Sequence, residues 1–217
     1  MFGWFRRKDT EFNLPEIPFD EIKKRARLLV IDDQGFTYKP LFEIDGYTLT
    51  EWRDVEDLSK LENNFFDVIL LDVNGVGKQL SNEQGLGVLQ HIRKTSPAQL
   101  VIAFSNAKFD LKYQDFFNQA DAVLSKDIDY VDFKRKVDEL LRSRFSVGFY
   151  VSRISAVLGS GTDDRNQIDR EVRKSIALQE PSALRQFLKQ KTSDPKTIEA
   201  ALGIAKAAIE VYHAWSK

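Results

Sequence analysis

Asp32, Asp33, Asp72, Ser105 and Lys126 each stand at, or just past, the end of a short apolar run. Three carboxylates gathered in one crevice repel one another unless a cation sits among them, and their hard oxygen donors favour a divalent ion, Mg²⁺ above all. A lysine and a hydroxyl facing such an ion are the groups that stabilise a transferring phosphoryl group. The set therefore predicts metal-assisted phosphoryl chemistry.

The runs that must position these side chains are Leu28 to Ile31, Val68 to Leu71, Leu100 to Phe104 and Ala122 to Leu124. Short apolar runs without alternation read as parallel strands buried on both faces. A further strand is expected over Tyr47 to Arg53, and helical patterns cover Val55 to Asn63, Gln84 to Arg93, Leu111 to Gln119 and Tyr130 to Leu141. This alternation predicts an α/β fold, a doubly wound five-stranded parallel sheet of the flavodoxin-like order 2-1-3-4-5. In that order the Asp32/Asp33 strand lies beside the Asp72 strand, and polar groups at the carboxyl ends converge.

Beyond residue 143 the strand signal ends and the apolar spacing becomes helical. Val147, Val151, Ile154 and Leu158 form one stripe, Ile168, Val172 and Ile176 another, with Gly159 to Thr162 as the turn between them. Leu184, Phe187 and Leu188 mark a short helix after Pro181, and Asp194-Pro195 opens a last one carrying Ile198, Leu202, Ile209 and Tyr212. The expected organisation is an extension over 1–26 in which Pro15 and Pro18 break regular structure before the Asp20 to Arg27 stretch leads into the first strand, an α/β domain over 27–143, and a small all-helical unit over 144–217. Two joints are compatible with the pattern: one helix from Asp129 to Leu158, or two helices broken near Ser146 to Gly148.

Residue by residue, 27–143 resembles the receiver domain of bacterial two-component response regulators. The matching pieces are the acidic pair in Val30-Ile31-Asp32-Asp33, the acceptor position in Leu70-Leu71-Asp72, the hydroxyl in Ala103-Phe104-Ser105 and the lysine in Leu124-Ser125-Lys126. Gly85-Leu86-Gly87-Val88-Leu89 with Ile92-Arg93 also looks like the family's third helix. Order and separations of 40, 33 and 21 residues fit together. The resemblance implies that Asp72 takes a phosphoryl group from a phosphohistidine of a histidine kinase or phosphotransfer protein. It further implies that Asp32, Asp33, Asp72 and the Asn74 backbone carbonyl hold Mg²⁺, and that Lys126 and Ser105 contact the phosphoryl oxygens. Such a chain is a phosphoacceptor capable of self-dephosphorylation rather than a turnover enzyme.

The chain departs from that pattern in places. The segment Val73 to Gln84 is longer than usual, and the first helix, between Asp33 and Gly46, is short. Asp127 replaces the proline that usually follows the lysine, which speaks against a cis peptide, and Val123 stands where many receivers carry a switching aromatic. A phosphorylation-independent pseudo-receiver that docks partners is one alternative. Another is a haloacid-dehalogenase-like phosphatase, since Leu71-Asp72-Val73-Asn74-Gly75-Val76, Phe104-Ser105-Asn106 and Lys126 are similar to its motifs. Against that, Asn74 stands where a leaving-group acid is needed, and the acidic pair precedes the nucleophile. Gly75 to Lys78 lacks the residues of a nucleotide loop and reads as a flexible loop, while His91 and His213 read as structural or solvent-facing.

Composition narrows the partners. At 217 residues, 42% hydrophobic and 30% charged, with a net charge of −1, the chain has no global attraction for nucleic acid or anionic membrane. Residues 144–217 hold 12 Lys/Arg against 8 Asp/Glu, leaving 20 against 25 in the acidic first part. Arg165, Arg170, Arg173, Lys174 and Arg185 read as a solvated basic face, so nucleic acid is not expected. The alanine-rich last helix suits close packing, so an unknown protein target or self-association is expected of the helical unit. Without cysteine there is no disulfide or thiolate site, which fits a cytoplasmic protein. No apolar run approaches the roughly 20 residues that span a bilayer. Phe2, Trp4 and Phe5 beside Arg6, Arg7 and Lys8 could touch a membrane surface peripherally, or tuck against the domain.

Overall fold

In a computed structural model, residues 12, 14–105, 114–159 and 164–215 are described, with the backbone alone for 115 and 116. The aromatic and basic residues at the start of the chain, the Ser160 to Thr162 turn and Leu111 to Tyr113 lie outside them. The strands Arg27–Ile31 (β1), Thr48–Trp52 (β2), Val68–Asp72 (β3), Leu100–Ser105 (β4) and Ala122–Ser125 (β5) form one sheet of order β2-β1-β3-β4-β5. Every pairing is parallel, with Leu29 aligned to Thr50 and Ile69, and Ser105 to Ser125. This is the flavodoxin-like order that the apolar runs predict.

Alternate side chains enter two cores, as the two-residue period of a strand requires. Leu28, Val30, Leu70, Ile102 and Phe104 belong to one core, and Leu29, Ile31, Ile69, Leu71, Val101 and Ala103 to the other. The second is roofed by Leu58–Glu62 (α3), Gly85–Thr95 (α4) and Gln114–Gln119 (α5). The first is covered by Phe19–Arg25 (α1), Lys39–Ile44 (α2) and Tyr130–Arg144 (α6). Helix α2 is short, as expected, and rings fill the space beside it: Phe36 lies 5.4 Å from Phe133 and 6.0 Å from Phe104, and Phe42 5.4 Å from Tyr130.

Helix α1 occupies the stretch between Pro18 and β1. Pro18 stands at its N-cap with φ −60°, and its carbonyl accepts from the Glu21 and Ile22 amides. Acidic Asp20 and Glu21 in the first turn and Lys23, Lys24 and Arg25 in the last complement the helix dipole. Ile22 and Ala26 are buried.

The joint between the two parts is broken. Helix α6 ends at Arg144, and Ser146 adopts extended backbone with its Oγ accepting from the Phe149 amide at 3.3 Å, capping Val147–Leu158 (α7). Gly148 lies inside α7. Arg165–Leu178 (α8), Ser182–Lys191 (α9) and Pro195–Trp215 (α10) complete the unit, with Gly159 closing α7 at φ +61°. Asp194 caps α10 by accepting from the Thr197 amide at 3.0 Å. The buried face of α10 is broader than the expected stripe: Ala201, Ala205, Ala207 and Ala208 are buried with Ile204 and Val211, whereas Ile198 and Ile209 are only partly so. These small residues pack the helix against α7, α8 and α9.

One apolar core joins both parts. Phe145, Val147, Tyr150, Val151 and Ile154 continue the cluster that begins under the sheet with Leu28 and Val68. Polar ties reinforce the seam: Tyr212 donates to the Phe145 carbonyl at 3.1 Å, and wholly buried Arg144 donates from Nη1 to the Ala98 carbonyl at 2.9 Å. Among the described residues no helix is long and apolar enough to cross a membrane. A shared core predicts one unfolding transition. Ile154→Ala, at a fully buried position, is expected to lower stability by about 2–5 kcal/mol in urea denaturation followed by circular dichroism. A two-step wild-type curve, with the α/β part unfolding separately, would contradict the continuity.

Candidate functional site

The carboxyl ends of β1, β3, β4 and β5 bring the predicted groups together. Asp72 is the last residue of β3, and Asp32 follows β1, its strand neighbour. Lys126 follows β5 at the far edge, and its Nζ donates to Asp32 Oδ2 and Asp72 Oδ2, both at 2.7 Å. The carboxylates of Asp32, Asp33 and Asp72 each offer an oxygen within 4.8 Å of the others. Asp32 and Asp72 are nearly buried, with side-chain exposures of 2% and 6%, while Asp33 is exposed. Ser105 ends β4 and is buried, and its carbonyl accepts from the Lys126 amide at 3.3 Å. Asn74 lies just past β3, its amide donating to Asp72 Oδ1 at 3.3 Å.

Electrostatics in this crevice pull in two directions. Burial pushes the Asp72 carboxyl above the usual range, and the nearby charge of Asp32 adds to that, more than offsetting the hydrogen bonds from Lys126 and Asn74. Burial alone would lower the Lys126 ammonium, but bonds to Asp32 and Asp72 outweigh it and hold the group above its ordinary value. The Lys126 ammonium also lies 5.1 Å from the centre of the Phe104 ring. The result is a charged lysine clamped between two carboxylates, with a third at the rim. An all-oxygen set of this kind fits a hard divalent cation, Mg²⁺ included.

The sequence does not reveal how the loop after β3 is held. Gly75 has φ +85°, and a Cβ there would lie 2.2 Å from Asp33 Oδ2, so only glycine lets the backbone pass the carboxylate. Its amide donates to Gln84 Oε1 at 2.8 Å, and the Gly77 amide donates to the Asp54 carboxylate. Val73 and Val76 are buried in the core below. The segment expected to be a flexible loop is thus pinned at several points. Its signals, two glycines flanking one valine, are visible in the sequence, but their partners Gln84 and Asp54 are not. His91 bonds Glu62 at 2.8 Å, away from the site, and no peptide of the described residues is cis.

No family model matches the chain, and no curated protein does. Solved structures do. A response regulator receiver domain protein from Methanospirillum hungatei is 25% identical, with a TM-score of 0.47 over 55% of this chain and 95% of that one. The signal receiver domain of an HD domain-containing protein from Pseudomonas fluorescens is 19% identical, with a TM-score of 0.48 over 61% of this chain and 94% of that one. A two-component response regulator from Clostridium difficile is 22% identical, with a TM-score of 0.45 over 54% and 97% respectively. These neighbours are response regulator proteins and receiver domains.

The raised Asp72 pKa has a consequence for stability. As pH rises, the unfolded chain loses this proton first, so the contribution of Asp72 to stability is full below the ordinary carboxylate range. It is lost as pH climbs through the raised folded value. Without metal, ionised Asp72 is therefore a liability at neutral pH. Asp72→Asn is expected to raise the urea midpoint at pH 7 in chelator, with the gain shrinking below about pH 4. A destabilised variant at pH 7 would reverse the sign.

Proposed function

We propose that this chain is a two-component response regulator in which Asp72 accepts a phosphoryl group and the helical unit passes the signal on. The observation that carries the reading is the Lys126 ammonium held 2.7 Å from both Asp32 and Asp72, in a crevice where three carboxylates lie within 4.8 Å. In this reading an Asp72 oxygen attacks the phosphorus of a phosphohistidine on a histidine kinase or phosphotransfer protein. An O–P bond forms, the N–P bond breaks, and the imidazole nitrogen leaves with the electron pair. Asp32, Asp33, Asp72 and the Asn74 carbonyl are the groups that would hold Mg²⁺, which neutralises phosphoryl charge when bound.

The chain's own groups do the rest. Lys126 exchanges a carboxylate partner for a phosphoryl oxygen, and the Ser105 hydroxyl turns to another. The Asn74 carboxamide, unlike a carboxylate, is no general base for a water attacking the acyl phosphate, so self-dephosphorylation is slow rather than a turnover. A cytoplasmic setting, with a protein target or second copy of the chain for the helical unit, completes the proposal.

Acetyl phosphate with Mg²⁺ tests it. Wild type is expected to gain the mass of one phosphoryl group, and Asp72→Ala none. Lys126→Ala should react about 10²-fold more slowly or worse, the usual cost of losing a group that stabilises transition-state charge. A wild type that gains no mass would favour the pseudo-receiver reading, and steady hydrolysis of phosphomonoesters would favour the phosphatase.

A further inference from the structure

At the opposite end of the sheet from the carboxylates, Asp121 precedes β5 and collects partners from β4, α4 and α7. Its Oδ2 accepts from the Val101 amide at 2.8 Å and from Arg93 Nη2 at 2.7 Å. The rest of the Arg93 guanidinium donates to the Gln119 carbonyl at 2.7 Å and the Gln99 carbonyl at 2.6 Å. The other oxygen, Oδ1, accepts from Arg153 of α7, whose guanidinium also lies 5.2 Å from the centre of the Phe149 ring. The carboxylate is largely buried, at 12% exposure. In such surroundings an ion pair is screened weakly, and removing one partner is felt by the other.

Strand β5 connects this node to the candidate site. From Asp121 to Lys126 the extended chain covers about 16 Å. One end is bonded to Asp32 and Asp72 through Lys126, and the other to the helical unit through Asp121. As the sheet's edge, β5 is hydrogen-bonded on one side only, to β4. A displacement of β5 therefore breaks fewer ladder bonds than the same movement of β1 or β3.

We infer that Arg153 is a latch by which the helical unit senses the position of β5, and hence the state of the Asp72 site. The inference rests on the phosphoacceptor reading. When Lys126 leaves its carboxylates for a new anionic group, β5 is drawn with it, and Asp121 shifts against Arg153. Because Arg93 and the Val101 amide still hold Asp121, loss of Arg153 leaves the sheet intact. Arg153 is thus a positioning residue for the signal, outside the chemistry.

Hydrogen exchange of the full chain, followed by mass spectrometry with Mg²⁺ alone and with Mg²⁺ plus beryllofluoride, tests this. In wild type, beryllofluoride is expected to protect the segment around Asp72 and to change exchange in 147–158 by about fivefold or more, the lower end of usual coupling between sites. Arg153→Gln should keep the protection around Asp72 while its α7 response falls to about twofold or less, and Arg153→Lys should restore part of it. An undiminished α7 response in Arg153→Gln overturns the latch. So does a wild type that is protected around Asp72 without any response in α7. Absence of protection around Asp72 would instead refute the phosphoacceptor reading, and the latch would fall with it.

Discussion

The Lys126 ammonium between Asp32 and Asp72 is the interaction on which the arrangement depends. Two nearly buried carboxylates with a third at their rim are untenable in a weakly polar crevice without a compensating charge. Lysine supplies it from the far side of the sheet, and can do so only if β5 ends level with β4 and β3. The register gives that alignment, with Ser125 opposite Ser105 and Phe104 opposite Asp72. Strand order, strand length and the length of each crossover are therefore all constrained by one hydrogen-bonded triad.

What was legible in the sequence follows from this. A strand buried on both faces must be an unbroken apolar run, and polar residues at its end stand out; β1, β3 and β4 were readable to within a residue for that reason. The convergence of Asp32, Asp33, Asp72 and Lys126 was readable with them. Helix α1 was not, because Pro18 in isolation signals a break and becomes a helix start only through the dipole-matched charges after it. The alanines of α10 were readable as residues for close packing, but not that their partners are α7, α8 and α9 of the same chain. At the α6–α7 joint a continuous helix and a break near Ser146 to Gly148 were both compatible with the pattern; the break is made by Ser146, whose hydroxyl caps the next helix. The loop after β3 needed tertiary knowledge, since a sequence does not show Gly75 passing Asp33 or Gln84 reaching back to it.

Val123, where many receivers carry a switching aromatic, lies in β5. That side chain is 44% exposed on the edge strand, so a ring there would stand in solvent. A cluster of rings lies instead on the sheet face beneath α2 and α6, where Phe104 meets Phe36 and Phe133. Phe104 also touches the Lys126 charge. Aromatic bulk thus serves packing beside a shortened helix, and the lysine is steadied from the same side.

The site and the helical unit lie at opposite ends of the sheet, and that separation limits how one can influence the other. Helix α6 runs between them, yet it ends at Arg144, and the extended Ser146 interrupts any rigid rod into α7. The apolar core is continuous but close-packed, so it resists small shifts instead of relaying them in one direction. The central strands are bonded on both sides. An edge strand with a charge at each end, one among the carboxylates and one against α7, meets none of these obstacles. Transmission along β5 is the route on which the geometry imposes the least cost.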